Sequence, residues 1–464
     1  MKPAQDWLSN LKLRLSYGTA GNNRINSGLM YTTYTLSGNT GKAPFFNEIR
    51  GTMLEHGTNL SNPNLKWETT ITRNLGIDYG FFNNRLSGSL DFYWNTTKDL
   101  LMRTEIPSNT GYSYQYQNFG KTSNKGVELV LEAVLADKQN WGLNLNFNIA
   151  YNRNRIDELG TDNPWQSSNW AGSTIAKYED FRVEQDGRLG EVWGYKTAGF
   201  YTAYDPVNNP NGELVLDGTN WVLRDGLKDN SPNITGGKYY PGGLKLQCDE
   251  NGDPIKQKLG NTVAPVSGGF GLNGFVGNFD FNVFFNYSIG NKIINGTKLA
   301  NSFYTGSARG YNLVNDFAVD NRYTWIDPAN GLNLGRPSTS TVEAYGGAEG
   351  LVARLNEINS GANIYHPAAV TTMQLIDTAV EDASFLRVNN ITVGYTFPKE
   401  WVKKIFMQNV RIYLTGYNLF CITNYSGADP EVDTSSKRNA MAPGVDYAAY
   451  PKSRTFVGGI NVTF

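Results

Sequence analysis

Alternation with a period of two is the feature that most limits what this chain can become. Across 84–97, Leu86, Gly88, Leu90, Phe92 and Trp94 alternate with Ser87, Ser89, Asp91, Tyr93 and Asn95. Across 140–155, Leu143, Leu145, Phe147, Ile149 and Tyr151 alternate with Asn144, Asn146, Asn148 and Asn152. Across 279–291, Phe279, Phe281, Val283, Phe285, Tyr287 and Ile289 oppose Asp280, Asn282, Asn286 and Ser288, with Phe284 the exception on the polar face. Successive strand side chains point to opposite faces, so each segment reads as a strand with one apolar and one polar side. A column of asparagines is costly in a dry sandwich core, because each amide needs several hydrogen-bond partners. It sits easily in a water-filled lumen, which points to a transmembrane β-barrel.

The same pattern gives about twelve candidate strands, near 11–18, 68–81, 84–97, 124–136, 140–155, 174–185, 190–202, 265–277, 279–291, 384–397, 408–420 and 453–464. Many reach the roughly 9–11 residues that a tilted membrane strand needs. The connections alternate in length. Phe82-Asn83-Asn84-Arg85, Asp137-Lys138-Gln139, Asp186-Gly187-Arg188-Leu189 and Gly277-Asn278 read as tight turns, and between them lie 19–67, 98–123, 156–173, 203–264, 292–383 and 421–452. Short periplasmic turns and long extracellular loops are the asymmetry of an outer-membrane barrel. On that reading 398–407, with Trp401, Lys403 and Lys404, is a periplasmic turn carrying a short helix.

Composition agrees, with Gly 50, Tyr 27, Phe 23 and Trp 10 among 464 residues, poor in helix formers. The 41 basic and 42 acidic residues leave no basic excess for nucleic acid. No run approaches the roughly 18 apolar residues of a membrane helix, which does not bear on a barrel. Cys248 and Cys421 lie too far apart for a disulfide framework or a thiolate zinc cluster, and their pairing stays open. The segment from Met1 to Gly18 lacks the pattern of a secretory signal, so the expectation is a chain incomplete at its N-terminus.

Several short stretches recur in a set order: Leu11-Lys12-Leu13-Arg14-Leu15-Ser16-Tyr17-Gly18, Asn64-Leu65-Lys66-Trp67-Glu68 with Asn74-Leu75-Gly76-Ile77-Asp78-Tyr79, and Asn124-Lys125-Gly126-Val127-Glu128-Leu129. Gly194-Tyr195-Lys196-Thr197-Ala198-Gly199-Phe200, Phe385-Leu386-Arg387-Val388-Asn389-Asn390-Ile391, Gly416-Tyr417-Asn418-Leu419-Phe420 and Asp429-Pro430-Glu431 follow. In order and spacing the chain resembles the SusC/RagA-type TonB-dependent outer-membrane transporters of Bacteroidetes-type bacteria. The resemblance implies an all-β, antiparallel transmembrane barrel, of which 1–464 would be the C-terminal part of one with about 22 strands, the plug domain and signal peptide being absent. It implies TonB-dependent uptake of a large nutrient, an oligosaccharide or a peptide, across the bacterial outer membrane. It further implies a SusD-like surface lipoprotein over the extracellular loops, near 19–67, 203–264, 292–383 and 421–452, and a TonB contact through the N-terminal part.

Candidate chemistry is sparse. Asp249, Asn251 and Asp253, with Glu250 and Gly252, begin like a calcium loop. Pro254 and Gly260 stand where that loop needs other residues, so a plain acidic turn is the stronger reading. Asp78, Asp91, Glu128, Glu132 and Asp280 fall on polar strand faces and read as lumen residues, not as a paired-carboxylate active site. His56 and His366, both in loops, leave little for acid/His or Ser/His catalysis, so the expectation is no enzyme and no cofactor. Trp67, Trp94, Trp141, Trp193 and Trp401 read as membrane-girdle residues. Trp165, Trp170, Trp221, Tyr239, Tyr240, Tyr304 and Trp325 are loop aromatics that could stack on a sugar or peptide. In the last strand Phe456, Gly458, Ile460, Val462 and Phe464 point outward, and the resemblance implies that the terminal Phe464 is an assembly signal. The rival reading is a stand-alone pore or a surface adhesin, and it requires the first and last strands to meet.

Overall fold

The computed structural model describes residues 7–464 except 24, 38–44, 47–48, 51–52, 160–162, 169, 171–178, 305–311, 436–438 and 440. Ten long strands form one antiparallel path: β1 (Leu8–Asn22), β2 (Glu68–Phe81), β3 (Leu86–Glu105), β4 (Tyr114–Asp137), β5 (Trp141–Glu158), β6 (Val266–Val276), β7 (Phe279–Ile289), β8 (Phe385–Thr396), β9 (Asn409–Tyr417) and β10 (Thr455–Thr463). Each pairs with its predecessor in the chain, and the path stays open, with β1 and β10 at opposite edges. Two short pieces complete a twelve-stranded sheet: Cys421–Thr423 on β8, and Asn59–Leu60, parallel, on β4.

The register carries the alternation across the sheet. Leu15, Leu75 and Phe92 lie in one cross-strand row, and Phe147, Phe270 and Phe285 in another. Asn144, Asn273, Asn282, Thr392 and Thr415 make a polar row across β5 to β9 on the other face. A cavity of about 570 Å³ lies on that polar face, between Asn148, Ser267, Phe284, Asn286 and Ser288 of the wall and 430–433 of a long loop. A one-residue slip would turn every asparagine into lipid, so the pattern pins the register.

Tight turns gather at one end. Phe82, Asn83 and Asn84 all adopt positive φ, 53°, 56° and 59°, and Gly277 turns β6 into β7 at φ 58°. Aromatic residues ring this end: Trp7 stacks on Phe81 at 5.7 Å, and Tyr395 lies 4.8 Å from Phe279 and 5.2 Å from Phe397. Long connections occupy the other end, at 23–67, 159–265, 290–384 and 418–454.

Two expected strands are corrected here. Within 174–185 only 179 onward is described, and there a two-residue strand, Phe181–Arg182, forms. Residues 190–202 form Glu191–Tyr195 and Thr197–Phe200, strands of 5 and 4 residues, too short to cross a bilayer. Both regions belong to the insertion 159–265, where Phe181 and Val192 are fully buried. The turn Asp186–Leu189 therefore lies at the long-loop end, its Asp186 N–H donating to the Ile156 carbonyl near the end of β5 at 2.8 Å. The expected loop 98–123 is mostly strand, since β3 and β4 run on to a short connection at 106–113.

The dry core of the molecule sits in those insertions. One cluster joins Trp170, Phe181, Leu244, Ile294, Tyr365, Val370 and Val445; a second joins Tyr201, Leu214, Trp221, Tyr323, Trp325, Leu351 and Leu355. Lys292–Asn295 pairs with Val380–Asp382 and, in parallel, with Val445–Asp446, tying 290–384 to 418–454.

Candidate functional site

The lumen wall is polar and internally paired. Arg14 donates from Nε to Asp78 at 2.9 Å and from Nη2 to Asp91 at 3.0 Å, linking β1, β2 and β3. Arg411 of β9 donates from Nε to Asp280 of β7 at 2.9 Å. Tyr93 donates its hydroxyl to Asn152 at 3.0 Å, Asn152 donates to Asn124 at 3.3 Å, and Asn144 donates to Asn273 at 3.2 Å. A second cavity, about 420 Å³, opens on this wall among Thr72, Asn74, Tyr93, Asn95, Asn124, Glu128 and Asn152. The acidic residues expected on polar faces are thus lumen residues, three of them in ion pairs. Neither histidine joins them: His56 packs against the Tyr112 ring at 4.5 Å, and His366 lies parallel to Trp325 at 3.8 Å.

A buried charge cluster fixes the last long loop to the wall. Arg387 of β8, 5% exposed, pairs through Nη2 with Asp429 at 2.6 Å and through Nε with Glu431 at 2.6 Å. Lys452 reaches the same Glu431 at 2.8 Å. Two separated stretches, Phe385–Ile391 and Asp429–Glu431, therefore meet in space, which spacing along the chain does not reveal. Arg354 similarly clamps the buried Asp327 with two hydrogen bonds of 2.8 Å, fastening helix α1 (Ala348–Ile358) to the loop core. These hydrogen bonds hold the Asp327 carboxyl far below the usual carboxylate range.

The loop aromatics divide. Trp170, Trp221 and Trp325 are core residues, with Trp325 donating to the Pro241 carbonyl at 2.7 Å, so none offers a face to ligand. Tyr304 is half exposed, and Tyr239 and Tyr240 are partly so. Trp165 lies edge-on to Trp193, with Lys256 Nζ 4.3 Å above its ring. Trp193 is accordingly a loop-domain residue and not a girdle residue. Trp67, Trp94, Trp141 and Trp401 are exposed, as lipid or interface positions require. Phe456, Ile460 and Phe464 are exposed as well, with Ile460 paired to Ile412 and Phe456 to Gly416 of β9.

Around 249–253, Asp249 Oδ1 accepts from the N–H groups of Asn251 at 2.8 Å and Asp253 at 3.0 Å, while Asn230 donates to Asp253 at 2.7 Å. Among the described residues no group of three or more His, Cys, Asp or Glu is arranged to hold a metal. Cys248 and Cys421 are both free thiols.

The described family "TonB dependent receptor-like, beta-barrel" matches residues 2–235, half of the chain. The chain belongs to that family. It is an outer-membrane barrel protein of a receptor family, not an enzyme family. It is similar to TonB-dependent receptor P3 of Formosa agariphila, 28% identical over 98% of this chain and 39% of that protein. TonB-dependent receptor SusC of Bacteroides thetaiotaomicron is also 28% identical, over 98% of this chain and 38% of its own length. The chain thus spans about two fifths of the relatives it matches. In fold it is similar to the RagAB peptide transporter, with a TM-score of 0.64 and 22% identity over 99% of this chain and 41% of the other. The same holds for the RagAB peptide importer in its closed-closed state, with a TM-score of 0.63.

Proposed function

We propose that this chain forms the wall and extracellular loop region of a SusC/RagA-type transporter that takes up a large nutrient, an oligosaccharide or a peptide, under TonB control. One observation carries the reading: an open antiparallel sheet of long strands has one polar face with a cavity on it, and the insertions 159–265, 290–384 and 418–454 fold together at the end opposite the tight turns. A self-contained pore would need β1 to pair with β10, and these strands are the two edges of the sheet. Resemblance to SusC and to RagAB supports a surface lipoprotein seated on the loop region. The Asn, Thr and Tyr side chains between the ion pairs of the wall hydrogen-bond sugar hydroxyls and peptide groups equally, so they support both substrate classes. The acidic turn 249–253 is proposed as a self-satisfied turn, and stoichiometric calcium in the purified protein would overturn that.

The test is deletion of the gene in its host, followed by growth on defined oligosaccharides and on peptides. The expected result is loss of growth on one of the two classes, reproduced by deleting TonB. Undiminished growth on both would refute the reading.

A further inference from the structure

The turn between β8 and β9 has more apolar surface than a turn in water can justify. Residues Lys399–Ile405 wind through one helical turn and a 3-10 turn, and the chain then stops in a motif with two closing hydrogen bonds. Phe406 N–H donates to the Lys403 carbonyl at 3.1 Å, and Met407 N–H donates to the Val402 carbonyl at 3.1 Å. This is the Schellman arrangement, whose left-handed position calls for glycine. Phe406 occupies that position, at φ 60°, and 93% of it is exposed. A bulky left-handed residue is strained, and an exposed phenylalanine returns nothing in water.

Two more apolar side chains share the face: Trp401, 59% exposed, and Ile405, 57% exposed, stand four residues apart on the helical turn. Val402, one of the three residues between them, is buried and fixes which side faces away from the protein. The patch follows within a few residues of Tyr395 and Phe397, which pack with Phe279 at the tight-turn end, and this puts it near the level where hydrocarbon meets headgroups. Lys399, Lys403 and Lys404 surround it with only Glu400 as counter-charge, and none of the three lysines forms an ion pair among the described residues.

We infer that 399–407 is an interfacial anchor that inserts Trp401, Ile405 and Phe406 into the facing leaflet and gathers anionic phospholipid headgroups on its lysines. Continuity with the lipid-facing band selects lipid as the occupant, and the lysines select its charge. Phe406 is kept at a glycine position because the membrane buries it. The inference is independent of which nutrient the protein carries.

The test uses the intact protein carrying this chain, reconstituted in vesicles that contain brominated phosphatidylglycerol or brominated phosphatidylcholine. Ten tryptophans of this chain contribute to the emission, so the difference between the unaltered protein and Trp401→Phe isolates Trp401. Its signal should be quenched by both lipids, with phosphatidylglycerol preferred by up to about fivefold per lysine at low salt. Replacing Lys399, Lys403 and Lys404 together by glutamine should abolish the preference and leave the quenching. Phe406→Gly should leave the melting temperature in detergent unchanged or raise it, while weakening the quenching. A Trp401 signal quenched by aqueous iodide and untouched by bromolipid would overturn the anchor, in favour of water or a soluble partner. Equal quenching by the two lipids with the lysines intact would overturn the anionic preference.

Discussion

At the scale of single residues, buried charge fastens the loop region to the wall. Arg387 is held by Asp429 and Glu431 with almost no solvent. Removing one partner of a buried pair strands the others, so Arg387→Met should destabilise this end of the molecule by about 3–5 kcal/mol. Limited proteolysis should then cut within 418–454 first, and an unchanged cleavage pattern would show that the loop does not hang on this cluster. Two other residues set opposing pH dependences. His366 is buried against Trp325, and burial, aided by Arg322 and Arg336, lowers its pKa to about 3. Below its ordinary value of about 6.5 only the unfolded chain takes the proton, so stability falls as pH drops from there toward 3. Asp180 is buried with Ser168, and burial raises its pKa to about 6. Its stability contribution runs the other way, present below about 3.8 and lost as pH rises through about 6. In Asp180→Asn, loop-region stability should climb with pH across that window, and in His366→Gln it should decline. A pH series of tryptophan-monitored melting checks this, and parallel profiles in both variants would contradict it.

At the scale of elements, the face assignment is the strongest test of the barrel. Phe285 stacks on Phe270 at 4.6 Å on the outer face, whereas Asn282 lies in the polar row. Arginine at Phe285 should cost about 2–4 kcal/mol if it sits near the bilayer midplane. Arginine at Asn282, facing the lumen, should cost far less. Urea titration of the refolded protein in vesicles compares them, and equal costs would reverse the faces. The long strands were legible because a period of two persists through ten or more residues, as from Leu86 to Trp94. The loop region was not. Its strands are two to six residues long, and Glu191–Tyr195 imitates a membrane strand because Val192 is fully buried in a globular core. Trp170, Trp221 and Trp325 read as ligand aromatics because nothing local shows that distant segments will cover them. The reach of β3 and β4 beyond the membrane was missed because Leu100, Leu101 and Met102 follow one another without alternation, where the pairing of the two strands shifts register. Phe406 could have been noticed, since a phenylalanine after Lys403-Lys404-Ile405 stands where a helix stop favours glycine.

At the scale of the whole molecule, the insertions 159–265, 290–384 and 418–454 behave as one folded body: the last two share a sheet, and the first joins them through the common core and through Tyr195, whose N–H donates to the Leu375 carbonyl at 2.8 Å. Ile294 is its keystone: wholly buried, it pairs with Val380 on one side and Val445 on the other, and its side chain joins the cluster of Trp170, Leu244 and Tyr365. The outer face of β1 to β10 contributes nothing to this core, so the loop body depends on its own burial and the wall depends on strand pairing and lipid. Ile294→Ala should therefore leave the barrel intact while loosening these three insertions together. Truncating a fully buried isoleucine costs about 2–5 kcal/mol through lost transfer energy and the cavity left behind. Hydrogen exchange should show faster exchange in 191–195, 292–295, 380–382 and 445–446 to a similar degree, with β2 to β7 unchanged. Faster exchange confined to 292–295 would mean that the insertions fold separately, and the loop region would then be three independent flaps on a common rim.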